Sequence, residues 1–448
     1  MDRTLNLEVV NKKGEEVMIE GWVDGRRNMG KIVFLDMRDR TGVLQVVLVP
    51  GELDKDSQKL IDNIRPQFVL AIEGIVNERT GKNANPQMET GTVEVLAKKI
   101  TVLAEAETLP YELGSEMKMD TYLDNAPLNY RDEKARAIFK VQAALIQGFR
   151  SFLTAEGFTE FQAPKLVAEA TEGGANVFKI DYFGKAAYLG QSPQFYKQIM
   201  TGVYERVFTC GNVYRAEAHH TSRHINEYTS LDFEMGFIKD HTDVMDMTRR
   251  ALTAMMNNVV KNCDKQIKLL DAAVPEVPAE IPALKLAEAQ KILKHEFGQD
   301  CEGEPDLEPH HEELICQYAK REFNSDFIFI THYPVEKRPM YTMPDEKDKG
   351  KTKSFDLLFR GCEIVTGGQR IHDYEMLLDN IKKFKMDPQD FEFYLEAFKY
   401  GMPPEGGIGM GLERVTQKLL GLENIKQATL FPRDDVRIDL PLSKENNK

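Results

Sequence analysis

No run of about 18 apolar residues, the least that a bilayer-spanning helix needs, occurs in this 448-residue chain. The opening MDRTLNLEVV lacks a basic flank followed by an apolar core, so no export signal is read and a soluble, cytoplasmic protein is expected. Cysteine is scarce: Cys210, Cys263, Cys301, Cys316 and Cys362 are an odd number, widely spaced, without a C-x-x-C pair. That argues against a disulfide framework or a thiolate zinc site and for a reducing compartment. Positive charge is in deficit, 58 basic against 72 acidic residues, a formal net charge of −14, which is unlike a nonspecific phosphate-binding surface. The deficit is uneven, because residues 1–100 carry 15 basic and 16 acidic side chains; the N-terminal part is the better place for a local patch facing nucleic acid. With 42% hydrophobic and 29% charged residues, the composition is that of a chain that folds throughout, apart from the terminal SKENNK. Its length predicts two or three domains.

Short apolar runs in near period-two alternation fill residues 17 to 103: EVMIEGWVDGRR, KIVFLDMRDR, GVLQVVLVP, QFVLAIEGIVNER and TVEVLAKKITVL, with the helical DSQKLIDNIR between the third and fourth. Five strands with one helix interposed predict an OB-type barrel over 1–104, although a generic β-sandwich shares this periodicity. Residues 105–132 lack periodicity and read as a hinge. A long amphipathic helix follows, with Ile138, Val141, Leu145, Phe149 and Phe152 at helical spacing and Gly157 at its end, where a C-cap glycine is preferred. Runs of strands rather than alternating β-α units then predict an α+β domain over 133–448, an antiparallel sheet flanked by helices. The Pro- and charge-rich 264–324 reads as a small insertion.

Three segments carry chemistry. In RVFTCGNVYRAEAHHTSRHINEYTSLDFEMGFI (206–238) a strand, a polar loop and a return strand offer Arg215, Glu217, Arg223, His224 and Tyr228, a set of cations, a carboxylate and an aromatic face suited to a nucleotide. Any one of these arginines alone is an ordinary surface residue, and the cluster His219, His220, His224 also admits a metal reading. In SFDLLFRGCEIVTGGQRIHDY (354–374), Asp356 and Glu363 are hard oxygen donors seven residues apart, within reach of a shared Mg²⁺ beside phosphates. In GMPPEGGIGMGLERVTQKLL (401–420), glycines run into a helix that begins near Leu412. This is neither a P-loop, lacking G-K-[ST], nor a dinucleotide fingerprint, lacking its βαβ setting.

In this order the segments resemble the three signature motifs of class II aminoacyl-tRNA synthetases: the strand ending at Pro164, then R-A-E with R-H-x-x-x-Y, then GGIGMGLER. Over nearly the whole chain the phrases ATEGGANVF, QSPQFYKQIM, YTMPD, FDLLFRGCEI, DFEFYLEAFKYGMPPEGG and LFPRD are similar to the aspartyl enzymes of archaeal and eukaryotic type. The resemblance implies that Arg215 is the catalytic contact to the α-phosphate of ATP and touches aspartate as well. It implies that Glu217 and Tyr228 seat adenine, that Arg223, His224 and Arg414 clamp the outer phosphates beside Gly411, and that Asp356 and Glu363 hold Mg²⁺. It assigns Lys197 and Arg370 to the aspartate side chain and Glu172 and Gln194 to its ammonium group, with Thr366 where archaeal relatives usually carry serine. In the barrel it assigns Phe34 and Gln45 to an anticodon base of tRNA. Relatives strict for the aspartate tRNA tend to have tryptophan where Asp24 falls, which admits charging of the asparagine tRNA too. A homodimer is implied by the first motif. The rival readings are an asparaginyl enzyme, against which Lys197 speaks, a noncatalytic paralogue, and a related asparagine synthetase, which would lack the barrel.

Overall fold

Alternation of apolar and polar residues gives the N-terminal strands one buried face each. In the computed structural model, which describes residues 1–168, 176–217 and 221–439, these strands are β1 (Glu16–Asn28), β2 (Val33–Arg38), β3 (Val43–Leu48), β4 (Val69–Glu78) and β5 (Val93–Ala104). They close into a barrel in the order β1-β2-β3-β5-β4, around a core that includes Val17, Ile19, Leu35, Leu44, Val46, Leu70, Ile72 and Val95. Helix α1 (Lys55–Leu60) lies between β3 and β4, capped by the Asp54 side chain on Ser57 N. The OB-type barrel is therefore the fold, and the sandwich is not. The chain falls into two compact units, Met1–Ser115 and Glu116–Lys448.

The second unit starts with two short helices, α2 (Met119–Asp124) and α3 (Ala126–Asn129), and the long α4 (Glu133–Ala155). Asp132 caps α4 by accepting from Lys134 N and Ala135 N, and Gly157 ends it at φ +82°, a conformation glycine adopts without steric cost. Ile138, Val141, Leu145 and Phe149 are buried on its inner face. Strands β6 (Thr159–Glu160), β7 (Leu166–Val167), β8 (Lys179–Tyr182), β9 (Lys185–Leu189), β10 (Arg206–Tyr214) and β11 (Glu227–Gly236) follow, with α5 (Gln194–Tyr204) before β10. After α6 (His241–Asn262) and α7 (Asp264–Leu269) come β12 (Ala283–Lys285), α8 (Leu286–Phe297), α9 (Pro309–Phe323), β13 (Phe327–Thr331), β14 (Ser354–Phe359) and β15 (Glu363–Gln369). The chain continues through α10 (Tyr374–Lys383), α11 (Glu392–Lys399), β16 (Glu405–Gly411) and α12 (Leu412–Leu420).

Eight strands form one sheet in the order β12-β13-β14-β15-β16-β11-β10-β6, antiparallel except at β6–β10 and β12–β13. With α4, α6 and α12 packed on the sheet, this is the expected α+β architecture. The stretch 264–324 supplies the edge strand β12 and the helices α8 and α9, which share an apolar core with Ile328, Ile330 and Leu358 of the sheet. The glycine-rich 405–411 is itself a strand, paired with β11 and β15 at the middle of the sheet. Among the described residues no helix is long and apolar enough to cross a membrane.

Helix α4 crosses α6 closely at Gly148, where a Cβ would stand 2.8 Å from Met255 Cα and 3.1 Å from Ala254 O. Alanine normally favours a helix over glycine by about 1 kcal/mol, but a forced separation of packed helices costs about 1–3 kcal/mol. Gly148→Ala is thus expected to lower the melting temperature of the full chain by several degrees; a melt at or above the parent's would show that the helices yield.

Candidate active site

The floor of the site follows from strand register. Asp232 on β11 pairs with Gly409 on β16, Gly409 with Thr366 on β15, and Thr366 with Asp356 on β14. Side chains of one cross-strand row share a face, so this row spans the sheet from an acid at one side to an acid at the other. Alternate residues on β16, Gly407, Gly409 and Gly411, point to that same face and leave the middle of the floor bare. Above it lies a cleft of about 360 Å³, within the size range of small-molecule sites. Gln194, Lys197, Arg215, Glu217, Arg223, His224, Tyr228, Asp356, Glu363, Thr366, Arg370, Gly411 and Arg414 all line it. Glu172 lies outside the described residues, as do His219 and His220 of the alternative metal reading.

At one end sits a lattice of buried charge. Lys197 Nζ on α5 reaches Asp232 Oδ2 at 2.9 Å, Ile408 O at 2.8 Å and Glu234 Oε2 at 3.2 Å. Arg370 donates from Nε to Glu234 Oε1 at 2.8 Å and from Nη2 to Gly407 O at 3.0 Å. The resemblance assigns Lys197 and Arg370 to the aspartate side chain; in the structure both are also paired with acids of the chain, because ions this deeply buried are costly without partners. Gln194 Nε2 donates to Gln198 Oε1 at 2.8 Å beside them. The acids that do the pairing, Asp232 and Glu234, went unassigned in the sequence, although two carboxylates at strand spacing within the apolar run SLDFEMG are a usable signal.

Beside this lattice the hairpin of β10 and β11 lines the cleft. Arg215 follows the last strand residue and is clamped by Asn226, whose O accepts from Arg215 N at 2.8 Å while its Nδ2 donates to Arg215 O at 2.7 Å and to Glu217 O at 3.0 Å. The Arg215 guanidinium lies 3.9 Å from Glu217 Oε1 and 5.8 Å from the Tyr228 ring centroid. Its side chain is 43% exposed, so the cation faces the cleft. Glu413 at the start of α12 accepts from Thr229 N with both oxygens, at 3.0 and 3.1 Å, and ties this hairpin to β16 and α12. Burial pushes its carboxyl up to about 7.

At the far end Asp356 is paired with Arg338 Nη2 at 2.7 Å, and Arg338 stacks over Tyr333 at 3.8 Å. Glu363 Oε1 accepts from Thr366 Oγ1 at 3.0 Å, and its main-chain O accepts from Arg414 Nη1 at 3.0 Å. Asp356 Oδ1 is buried with no hydrogen-bond partner, and burial, opposed by Arg338 and reinforced by Glu363, raises the Asp356 carboxyl. An orphaned hard oxygen beside a second, repelling carboxylate fits a divalent cation. Arg223 is held by Glu312 Oε2 at 3.5 Å, by Glu313, and by Gly361 O at 3.1 Å. Burial, then the charge of Glu363, pushes Glu312 up to about 8. Arg338, Glu312 and Glu313 are not among the residues read from the sequence; the two glutamates come from α9, within the stretch read as an insertion. His224 Nδ1 lies 2.6 Å from Thr221 Oγ1.

On the barrel, Phe34 is outside the apolar core and half-buried on the outer face. The Arg27 guanidinium lies 5.8 Å from its ring centroid. Gln45 accepts from Arg27 Nη2 at 3.1 Å and donates to Glu94 Oε2 at 2.8 Å. Asp24 takes Arg38 Nε with both oxygens, at 2.8 and 2.9 Å.

A family model described as tRNA synthetases class II (D, K and N) matches residues 118–435, and one described as an OB-fold nucleic acid binding domain matches 17–103. The chain is 48% identical to an aspartate–tRNA(Asp/Asn) ligase of Thermus thermophilus, covering 95% of this chain and 97% of that one. It is 38% identical to an aspartate–tRNA(Asp) ligase of Pyrococcus horikoshii, covering 95% and 96%. A solved asparaginyl-tRNA synthetase of Pyrococcus horikoshii in complex with asparaginyl-adenylate matches with a TM-score of 0.90 at 30% identity, over 98% of this chain and 100% of that one.

Lys197→Ala leaves Asp232 without its cation and Glu234 with Arg370 alone, and is expected to cost about 3–5 kcal/mol of stability. Arg215→Ala, at a position open to solvent, is expected to leave the melting temperature within about one degree, since exposed substitutions stay within about 0.5 kcal/mol. Thermal melts of the two variants side by side check this; equal melting temperatures would contradict the burial argument.

Proposed function

The chain belongs to the class II tRNA synthetases (D, K and N), and from that membership we propose how this cleft carries out the work of an aspartate–tRNA ligase, ATP-dependent activation of aspartate and its transfer to tRNA. The observation that carries the reading is the set of charges gathered in one cleft: buried cations paired with acids of β11, the exposed Arg215 beside Tyr228, and the Asp356–Glu363 pair of β14 and β15.

The aspartate side chain lies at the Lys197–Arg370 end, with Glu172 and Gln194 on its ammonium group and Thr366 nearby. Its α-carboxylate then faces the α-phosphate of ATP, which Arg215 holds. In-line attack forms the carboxylate–phosphorus bond and breaks the bond to the β-phosphate, releasing pyrophosphate. Arg215 stabilises the charge on the α-phosphoryl oxygens as it develops, without any covalent bond to the enzyme. Tyr228 stacks on adenine and Glu217 hydrogen-bonds its edge. Arg223, His224 and Arg414 clamp the β- and γ-phosphates, the bare backbone at Gly411 allowing close approach. Asp356 and Glu363 would hold Mg²⁺, which when bound neutralises phosphate charge. A ribose hydroxyl of the tRNA end then attacks the adenylate carbonyl and expels AMP.

Phe34 stacks on an anticodon base and Gln45 hydrogen-bonds it, in the manner of OB-folds that read single-stranded RNA. We further propose charging of both the aspartate and the asparagine tRNAs, supported by the 48% identical relative named for both and by Asp24 at the position read as tryptophan in strict relatives. The enzyme acts in the cytoplasm as a homodimer; sedimentation of an active monomer would refute the dimer.

ATP–pyrophosphate exchange is expected with aspartate and not with asparagine, and Arg215→Ala is expected to reduce it by at least about a hundredfold, the loss typical of a lost oxyanion contact. Exchange driven only by asparagine, or an Arg215→Ala enzyme at the parent rate, would sink the reading. With purified tRNAs and radiolabelled aspartate, both the aspartate and asparagine tRNAs should become charged; charging of the first alone would remove the dual specificity.

A further inference from the structure

Glu405, the first residue of β16, is wholly buried and has no role in the steps above. Its Oε1 accepts from Gln198 Nε2 at 2.8 Å, while its Oε2 has no hydrogen-bond partner. The orientation of Gln198 is fixed, because its Oε1 already receives Gln194 Nε2 at 2.8 Å and the Tyr394 hydroxyl at 3.1 Å. Glu405 Oε1 is therefore an acceptor, and any proton on this carboxyl resides on Oε2.

A second orphan stands nearby. Glu234, also wholly buried, has an Oε2 that lacks a hydrogen-bond partner, although Lys197 Nζ is 3.2 Å away. Glu405 pairs with Gly236 and Glu234 pairs with Gly407, so the two glutamates are diagonal neighbours on one face of adjacent strands. Gly407 makes the space, since a Cβ there would stand 2.3 Å from Glu234 Oε2. Two adjacent carboxyls without water cannot both ionise. Burial, followed by the charge of Glu234, raises the Glu405 carboxyl well above the ordinary range.

We propose that Glu405 is a positioning residue for amino-acid specificity: as the neutral acid it donates a hydrogen bond to Glu234 and thereby fixes the carboxylate that anchors Lys197 and Arg370. The proposal rests on the reading of that end of the cleft as the aspartate side-chain pocket. Lys197 and Arg370 against Asp232 and Glu234 sum to zero charge with Glu405 neutral; its ionisation makes the pocket an anion and repels an incoming carboxylate more than an amide. The charged and titratable groups that face Glu405 are Glu234 on β11, Lys197 on α5, Arg370 after β15 and Tyr394 on α11. An acid whose folded pKa is raised is neutral below that value and ionises above it, so the effect appears as pH rises.

The test is ATP–pyrophosphate exchange by the full chain across neutral and alkaline pH, with KM for aspartate and for ATP measured separately. Glu405→Ala removes the donor to Glu234 and is expected to raise KM for aspartate at least about tenfold, the cost of one unmatched buried polar group, leaving KM for ATP in place. Glu405→Gln supplies an amide donor that cannot ionise; it should recover most of the loss, and the parent's alkaline rise in KM for aspartate should disappear from its profile. If Glu405→Ala does not fold, Glu405→Gln and its profile decide alone. A glutamine variant that keeps the parent's alkaline rise, or that is as impaired as the alanine variant, overturns the proposal. A parent enzyme that shows no exchange with aspartate overturns instead the pocket assignment on which it stands.

Discussion

Two cations and two anions buried together at one end of the cleft are the constraint on which the second unit depends. Lys197 comes from a helix, Asp232 and Glu234 from β11, and Arg370 from the residue after β15. A single missing partner would leave a buried charge at a cost of about 3–5 kcal/mol, so these elements must arrive in one register. A slip of one residue in β11 would turn both acids to the opposite face. The same pairing sets where Gly407 and Gly409 fall on β16, since Gly407 leaves the room that Glu234 occupies. Charge placement and strand register are thus one specification.

The cations that line the cleft differ in exposure. Lys197 is 1% exposed and Arg215 43%, with Arg223 between them in exposure and held by two glutamates of α9. In the proposed clamp a triphosphate would compete for Arg223 with Glu312, a carboxylate that burial and the charge of Glu363 make a poor anion. The cation is therefore oriented in advance and can be given up to phosphate at little cost in reorganisation. Arg414, backed by the main-chain O of Glu363, is oriented in the same way.

What could be read from the sequence was what local pattern encodes. Period-two alternation gave the five barrel strands, helical spacing gave the inner face of α4, and the spacing of Arg215, Glu217 and Tyr228 placed them on one hairpin. What could not be read depends on contacts between distant segments. Glu312 meets Arg223 across 89 residues and Arg338 meets Asp356 across a loop, and neither contact leaves a periodic trace. The strand β16 was hidden by its own glycines, which are rare in strands and are tolerated here because the floor must stay bare. The acid partners of Lys197 and Arg370 were not read, because Asp232 and Glu234 look, in sequence, like the polar half of an alternating strand.

In the proposed aspartate pocket, that pairing alters how aspartate is told from asparagine. Free cations would attract any anion, but a neutral lattice has little net field to offer, so discrimination rests on donor and acceptor matching. Lysine and arginine side chains present only donors. A carboxylate brings acceptors on both oxygens and completes the set, whereas an amide turns an NH₂ donor toward groups that can only donate. The mismatch leaves a buried polar group unpaired, worth about 1–3 kcal/mol, and more where a charge is involved. Rejection of the amide then depends on keeping every cation fixed in direction, and it is the acids behind Lys197 and Arg370, rather than the cations alone, that fix it.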